Sequence, residues 1–289
     1  MSSEVHLVWE DCARWQSGQE RTHQMPLAAH TRRAFDSELL ILSQLLAAMG
    51  RRVEGQVSDA IQALTTGNGE AARKLVAADS AIDEMQRTID QQVVETIAKR
   101  QPVAVDLREV LSISRIANDL ERIGDLAKNI GKRTPAITVD HLTRVCMSEV
   151  TRMALAILRQ LRDILDGFTH RDVSVAVNVW MRDVDIDRMC VIASRGLLLC
   201  MADDPDTVTF GVHLLFCTKN LERIGDHTTN IAEAVYYMVK GQALLGERPK
   251  ADLTALATTH SRNPGRESTP VAVGNEPFDQ LVEGAATAK

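Results

Sequence analysis

Leu120-Glu121-Arg122-Ile123-Gly124-Asp125, followed by Asn129-Ile130, is written a second time as Leu221-Glu222-Arg223-Ile224-Gly225-Asp226, followed by Asn230-Ile231. The chain reads as an internal duplication, and both copies keep two locally unfavourable choices, which tend to mark functional or strained sites. Glu and Asp four apart lie one above the other on a helix, a like-charge pair costing about 0.2–0.5 kcal/mol. The Gly between them costs roughly another 0.8–1.0 kcal/mol relative to Ala in a helix interior.

The 289 residues accommodate two halves of ordinary domain size, each able to hold its own core. Aromatic residues make up 3% of the chain, which disfavours an all-β protein and leaves few platforms for stacking nucleobases. A net charge of -6 offers no basic footprint, so direct nucleic-acid binding is not expected. Cys12, Cys146, Cys190, Cys200 and Cys217 form no Cys-x-x-Cys pair and read as reduced, mostly core thiols of a cytoplasmic protein. Glu10, Asp11 and Arg14 interrupt the apolar run a signal peptide needs, and runs such as Leu197 to Ala202 are too short to insert in a membrane.

Working outward from the motif, apolar residues recur at Leu39, Leu42, Leu46, Met49, Val53, Val57, Ala60 and Leu64, the three-four spacing of a long amphipathic helix. Gly67-Asn68-Gly69 breaks it, and Asn68 suits the N-cap of a second helix carrying Leu75, Val76, Ile82, Met85, Ile89, Val93 and Ile97. Arg100-Gln101-Pro102 ends that one, with Pro102 placed as the first residue of a third helix that carries the motif. After Thr134-Pro135 the pattern repeats. A helix from about Val139 to Asp166, a break at Gly167 to Arg171, a helix to about Met201, and Asp204-Pro205 opening the last one are expected. Laying residues 59–83 over 163–187 matches Asp59 with Asp163, Thr65 with Thr169, Ala72 with Ala176, Asp79 with Asp183, Ile82 with Ile186 and Asp83 with Asp187. The expected fold is therefore all-α, two tandem homologous three-helix bundles of six long helices in up-down-up order. The boundaries are 29–134 and 135–246, between a poorly ordered extension (1–28) and a disordered tail (247–289). Met25, directly followed by Pro26-Leu27-Ala28, is an alternative start to a true N-terminal extension.

On the third helix Val110, Ile113, Ala117, Leu120, Ile123, Ala127 and Ile130 form an apolar stripe beside a polar one of Ser114, Asn118, Glu121, Asp125 and Asn129. Asp79 and Asp83 interrupt the apolar row of the second helix, as Asp183 and Asp187 do before Glu222 and Asp226. Each unit thus offers two facing acidic pairs, the kind of inward carboxylate set from which helical bundles build metal sites. Converging carboxylates repel and lose hydration, so a cation or proton uptake is needed to hold them together. All-oxygen donors suit Mg, Ca or Mn, and carboxylate clusters also hold iron. Gly124 and Gly225 would then admit a closely approaching backbone or metal ligand. The competing reading is that the acidic pairs are solvated helix faces. Arg122 and Arg223 are expected to face solvent, His227 to serve the surface or a cap because Leu126 stands there in the first copy, and Tyr236-Tyr237-Met238-Val239 to pack helices.

The twin Leu-Glu-Arg-Ile-Gly-Asp motifs continue into Asn230-Ile231-Ala232-Glu233 and Val235-Tyr236-Tyr237, and Arg100-Gln101-Pro102 precedes Asp106-Leu107-Arg108. Over about residues 30–242 the chain resembles the PhoU family of phosphate-specific transport accessory proteins. The resemblance implies two three-helix bundles, a homodimer, and metal ligation by Asp79, Asp83, Glu121, Asp125, Asp183, Asp187, Glu222 and Asp226. It implies divalent or trivalent metal ions (iron, Mn, Mg or Zn) and no catalysis. It further implies a cytoplasmic negative regulator of inorganic phosphate uptake and of the phosphate-starvation response. The implied partners are the ATPase subunit of the phosphate ABC transporter and a sensor histidine kinase. Lys219-Asn220 replaces Asn118-Asp119 and Thr229 replaces Lys128, so the two sites are expected to differ. A carboxylate-bridged metal enzyme and a metal-free helical scaffold are the alternatives, the first lacking a dedicated general base.

Overall fold

The structure is a computed structural model that describes the backbone of residues 27–137 and 141–244 and the side chains of 35–137 and 147–244. The expectations for the first 26 residues and for the tail from 247 lie outside the described residues. Among the described residues eight α-helices follow in order: α1 (Leu27–Thr66), α2 (Gly69–Ala78), α3 (Ser80–Arg100), α4 (Ala104–Arg133), α5 (His141–His170), α6 (Val173–Met181), α7 (Asp183–Asp203) and α8 (Val208–Lys240). Short 3-10 turns at Thr134–Ala136 and Pro205–Thr207 join them. α2 and α3 form one interrupted rod, as do α6 and α7, so the expected six long helices of an all-α fold are present, three in each bundle.

The breaks fall where local chemistry demands. Asn68 caps α2 by accepting hydrogen bonds from the backbone N–H groups of Glu70 (3.1 Å) and Ala71 (3.0 Å). Asp204 likewise accepts from Asp206 N at 3.0 Å, ahead of Pro205. Gly241 closes α8 in the left-handed conformation (φ 75°) and donates its N–H to Tyr237 O at 2.8 Å.

Three expectations are corrected. α4 begins at Ala104, not at Pro102. Gln101 turns left-handed (φ 49°) to close α3 on Ile97 O, and its conformation suits a residue kept out of the right-handed helix by the following proline. The second and fifth rods are each interrupted once, at Asp79 (φ -64°, ψ -37°) and at Arg182 (φ -80°, ψ -1°). The dihedrals stay helical, so the apolar spacing carries no trace of the interruption. Gly167 does not end α5, which runs to His170. A Cβ on Gly167 would stand 3.0 Å from Val175 Cγ1, so this glycine serves the close return of α6. The turn itself is made by Arg171 (φ 54°), and Asp172 caps α6 through Ser174 N at 2.8 Å.

The halves do not keep separate cores. One continuous cluster of buried apolar side chains runs from Phe35 to Met238, with Leu42, Met49, Val53, Ile113, Leu120, Ile157, Leu161, Leu214 and Leu221 inside it. The reason is that α4 packs along α8 and α1 along α5, so the motif helices are buried against each other as well as within their own bundles. Each motif glycine permits this density at the same place. A Cβ on Gly124 would lie 3.2 Å from Ile82 Cδ1, and one on Gly225 3.1 Å from Ile186 Cγ2. The closest approaching group is thus an isoleucine of the facing rod, and at Gly124 the Oδ1 of Asp79, one of the expected ligands, comes next at 3.8 Å. Among the cysteines, Cys190 and Cys217 are buried, and burial pushes the Cys217 thiol up to about 12. Cys200 is disulfide-bonded, against the expectation of reduced thiols throughout.

Candidate carboxylate site

In the first bundle the interruption between α2 and α3 places Asp79 in the interior, 4% exposed. Gln56 of α1 donates its amide to Asp79 Oδ1 at 2.9 Å and to Gly124 O at 3.2 Å. The ammonium of Lys128, one turn beyond the motif on α4, hydrogen-bonds both Asp79 Oδ2 and Asp125 Oδ1. Burial by itself would lower the Lys128 pKa, but the hydrogen bonds to Asp125 and Asp79 outweigh it and hold the group well above the ordinary lysine range. A positive charge is therefore built into the cluster. Asp83 and Glu121 complete it at its more open edge.

Glu121 is held above the usual carboxylate range, first by burial and then by the charges of Asp125 and Asp83, with Arg122 (Nε 3.5 Å from its Oε2) pulling the other way. A raised folded-state pKa means that the native chain binds this proton more readily than the unfolded one. Stability from this group is present at acid pH and lost as pH rises through the folded value. Glu121→Gln is expected to raise the melting temperature modestly at pH 7.5, with the gain vanishing near pH 4. Thermal melts across that range test this, and a stabilisation that grows on acidification would contradict it.

The polar stripe continues along α4. Ser114 Oγ donates to Asp90 Oδ1 at 3.0 Å, and the Gln86 amide reaches Asp90 Oδ2 (2.5 Å) and Asn118 Oδ1 (3.2 Å). Asn129 is half-buried on the same face.

The second bundle repeats the positions with different chemistry. Asp183 (1% exposed), Asp187 (4%) and Glu222 (7%) are buried, and Asp226 is half-buried. At the place of Lys128 stands Thr229, whose hydroxyl lies 2.9 Å from Asp183 Oδ1. Lys219 Nζ lies 2.6 Å from Glu222 Oε2. Gln160, the counterpart of Gln56, is 3% exposed and donates to Arg182 O at 3.2 Å, while its own Oε1 is buried without a hydrogen-bond partner.

Among the described residues no group of three or more His, Cys, Asp or Glu side chains is disposed to hold a metal ion. In the first bundle the reason is visible, because Lys128 and Gln56 already occupy the oxygens of Asp79. In the second, the Lys219 ammonium likewise stands on Glu222, beside the oxygen donors of the carboxylates and of Thr229. Sequence reasoning missed Gln56 and Gln160. The signal was present, since each glutamine falls inside an apolar row (Val53 and Val57, Ile157 and Leu161) at the same offset in the two halves.

Between the bundles α4 and α8 also line an open cleft of about 550 Å³ with Ser114, Arg115, Asn118, Arg122, His227 and Asn230 on its walls. His227 Nδ1 lies 2.9 Å from Asp119 Oδ1, so this histidine ties the two halves together where Leu126 stands in the first copy. Arg122 and Arg223 are exposed, and Tyr236, Met238 and Val239 pack on the core, as the sequence suggests, but Tyr237 is exposed on the far side of the helix, beneath Arg108.

The PhoU domain family matches the chain twice, over residues 46–134 and 150–235, spans that lie within the two bundles. The chain belongs to the PhoU family. It is 43% identical over 227 residues to the phosphate-specific transport system accessory protein PhoU homolog of Rhizobium meliloti (strain 1021), covering 78% of this chain and 96% of that one. It is 35% identical over 216 residues to phosphate-specific transport system accessory protein PhoU of Serratia marcescens, covering 75% and 88%. Among solved structures, PhoU from Pseudomonas aeruginosa superposes with a TM-score of 0.67 at 36% identity, covering 72% of this chain and 100% of that one. The phosphate transport system regulatory protein PhoU from Streptococcus pneumoniae gives the same TM-score at 28% identity, with 73% and 99% covered. PhoU membership makes the chain an accessory protein of phosphate transport with an all-α, repeated fold. No described helix is long and apolar enough to cross a membrane.

Proposed function

We infer that this PhoU-family chain is a cytoplasmic negative regulator of inorganic phosphate uptake and of the phosphate-starvation response. In this reading it acts without catalysis, as a homodimeric adaptor between the ATPase subunit of the phosphate ABC transporter and a sensor histidine kinase. The observation that carries the reading is the family match in both bundles, together with relatives aligned over nearly their full length. Deleting the gene is expected to leave phosphate uptake and the starvation response active in phosphate-rich medium. Uptake of labelled phosphate and a reporter from a starvation-induced promoter measure this. Repression equal to the parent strain in both assays overturns the regulator reading.

A second part of the reading concerns cations. We infer that the carboxylates of the second bundle, Asp183, Asp187, Glu222 and Asp226, bind a divalent or trivalent metal ion, with iron, Mn, Mg and Zn as the candidates. The support is the chemistry of the donors, three of them buried, and the orphaned Oε1 of Gln160. Elemental analysis of the purified chain with and without Glu222→Gln tests it, and equal metal content in the two proteins counts against it.

A further inference from the structure

The cleft between α4 and α8 is built from side chains that the carboxylate clusters do not use. Arg115, Asn118 and Arg122 follow at spacings of three and four on α4, so they share one helix face, with the two arginines two turns apart. His227 and Asn230 of α8 complete the walls of an open space of about 550 Å³. The guanidinium groups are held loosely. Arg115 Nη2 is 3.6 Å from Glu233 Oε2 and Arg122 Nε is 3.5 Å from Glu121 Oε2, and both arginine side chains are more than half exposed. Long ion pairs in reach of water hold a side chain weakly, so both planar forks are available to an anion that enters between them.

Among the described residues on the walls the one carboxylate is Asp119, and it is already served: His227 Nδ1 lies 2.9 Å and Asn230 Nδ2 3.4 Å from its Oδ1. Facing a carboxylate, Nδ1 carries the ring proton, which makes Nε2 of the neutral imidazole a hydrogen-bond acceptor. No protein group among the described residues donates to that nitrogen. The cleft thus presents two positive forks and one acceptor. The forks suit any tetrahedral oxyanion, and the acceptor separates one from another. Inorganic phosphate near neutral pH keeps at least one P–OH, whereas sulfate has none and a phosphate monoester, with a second pKa of about 6, has lost its last proton. An anion without a hydroxyl meets the lone pair of Nε2 and forfeits that hydrogen bond.

The duplication does not supply this set twice. The counterparts of Arg115 and His227 in the other copy are Phe216 and Leu126, and the Arg133 guanidinium lies over the Phe216 ring, 4.2 Å from its centroid. The chemistry of the cleft belongs to one end of the α4–α8 contact and is no by-product of the repeat.

We propose that the cleft between α4 and α8 binds inorganic phosphate, with Arg115 and Arg122 taking its charged oxygens and His227 Nε2 accepting a hydrogen bond from its hydroxyl. Asp119 is then a positioning residue, which fixes the imidazole tautomer. The inference gives the regulator reading its effector, and it rests on that reading only for its consequence in the cell.

Calorimetric titration of the purified full chain, at about pH 8 so that the imidazole is neutral and at constant ionic strength, compares inorganic phosphate, sulfate and glycerol phosphate. Wild type is expected to bind phosphate saturably below about 10 mM, and about tenfold more tightly than either other anion. Arg115→Gln and Arg122→Gln are each expected to weaken phosphate binding about tenfold. Arg223→Gln, the exposed repeat counterpart of Arg122 outside the cleft, is expected to leave it unchanged. His227→Leu, which installs the residue of the first copy, is expected to abolish the preference for phosphate over sulfate. If that variant does not fold, the ratio among the three anions in wild type and the two variants at exposed arginines still decide. No saturable binding, equal affinity for phosphate and sulfate, or phosphate binding untouched by Arg122→Gln each overturns the proposal. Phosphate binding by the purified chain beside an unaltered starvation response in the deletion strain upholds the site and removes the regulator reading. A deregulated deletion strain beside a chain that binds no phosphate removes the site alone.

Discussion

Leu120→Ala is expected to lower the melting temperature by about 10 °C, the largest effect of any single side-chain truncation considered for this chain. Leu120 opens the first motif and is fully buried in the cluster shared by both bundles. Truncating a buried leucine removes its transfer free energy and leaves a cavity, a loss of about 3–5 kcal/mol. In a folded unit of this size each kcal/mol moves the midpoint by roughly 2–4 °C. Leu221→Ala, its repeat counterpart and equally buried, is expected to produce a drop of similar size. Because the core is continuous, both variants should melt in one cooperative transition. Circular dichroism at 222 nm and calorimetry read this, and two separate transitions, one moved by each variant, would show that the bundles are independent.

Lys128→Met is the second large effect. It removes the ammonium that serves Asp79 and Asp125 and leaves a carboxylate only 4% exposed with a single donor, Gln56. Breaking a fully buried pair costs about 3–5 kcal/mol, but Lys128 and Asp125 both keep some contact with water, so a loss of about 2–3 kcal/mol is expected. Asp79→Asn in the same chain should recover part of the loss, because the charge left behind is then removed as well. The coupling between the two substitutions is measured by a double-mutant cycle in urea. An additive cycle, or a Lys128→Met variant as stable as wild type, would show that the ammonium is not compensating the buried charge.

Much of the architecture is legible along the chain. The period-3.6 apolar rows, Asn68 and Asp204 as caps, and the repeated motif lead to six long helices in two bundles, and the comparison with PhoU proteins agrees. These features are local: a cap bonds to residues two or three away, and an amphipathic row needs only one burying face. What misled the sequence reading was also local in appearance. Gly167 looks like a helix end, but its reason is Val175 on the next helix, and the break that matters, at Asp79, has helical dihedrals and no breaker residue. Of the eight acidic residues, Asp79, Asp183, Asp187 and Glu222 are buried and the other four half-buried.

By itself the sequence determines the helices, the duplication and the positions where charge is turned inward, because each follows from spacing along a single helix or from identity between the copies. Only the tertiary structure decides how that charge is balanced. Gln56 meets Asp79 across 23 residues of chain and Lys128 meets it across 49, and no periodicity records such pairings. The same holds for the shared core, which depends on α4 lying against α8, and for His227, which acquires its role from Asp119 at a separation of 108 residues. Burial makes those partners decisive: in water each charge would be screened and indifferent to its neighbours, whereas inside the bundle the side chain that reaches it sets whether the site is already filled.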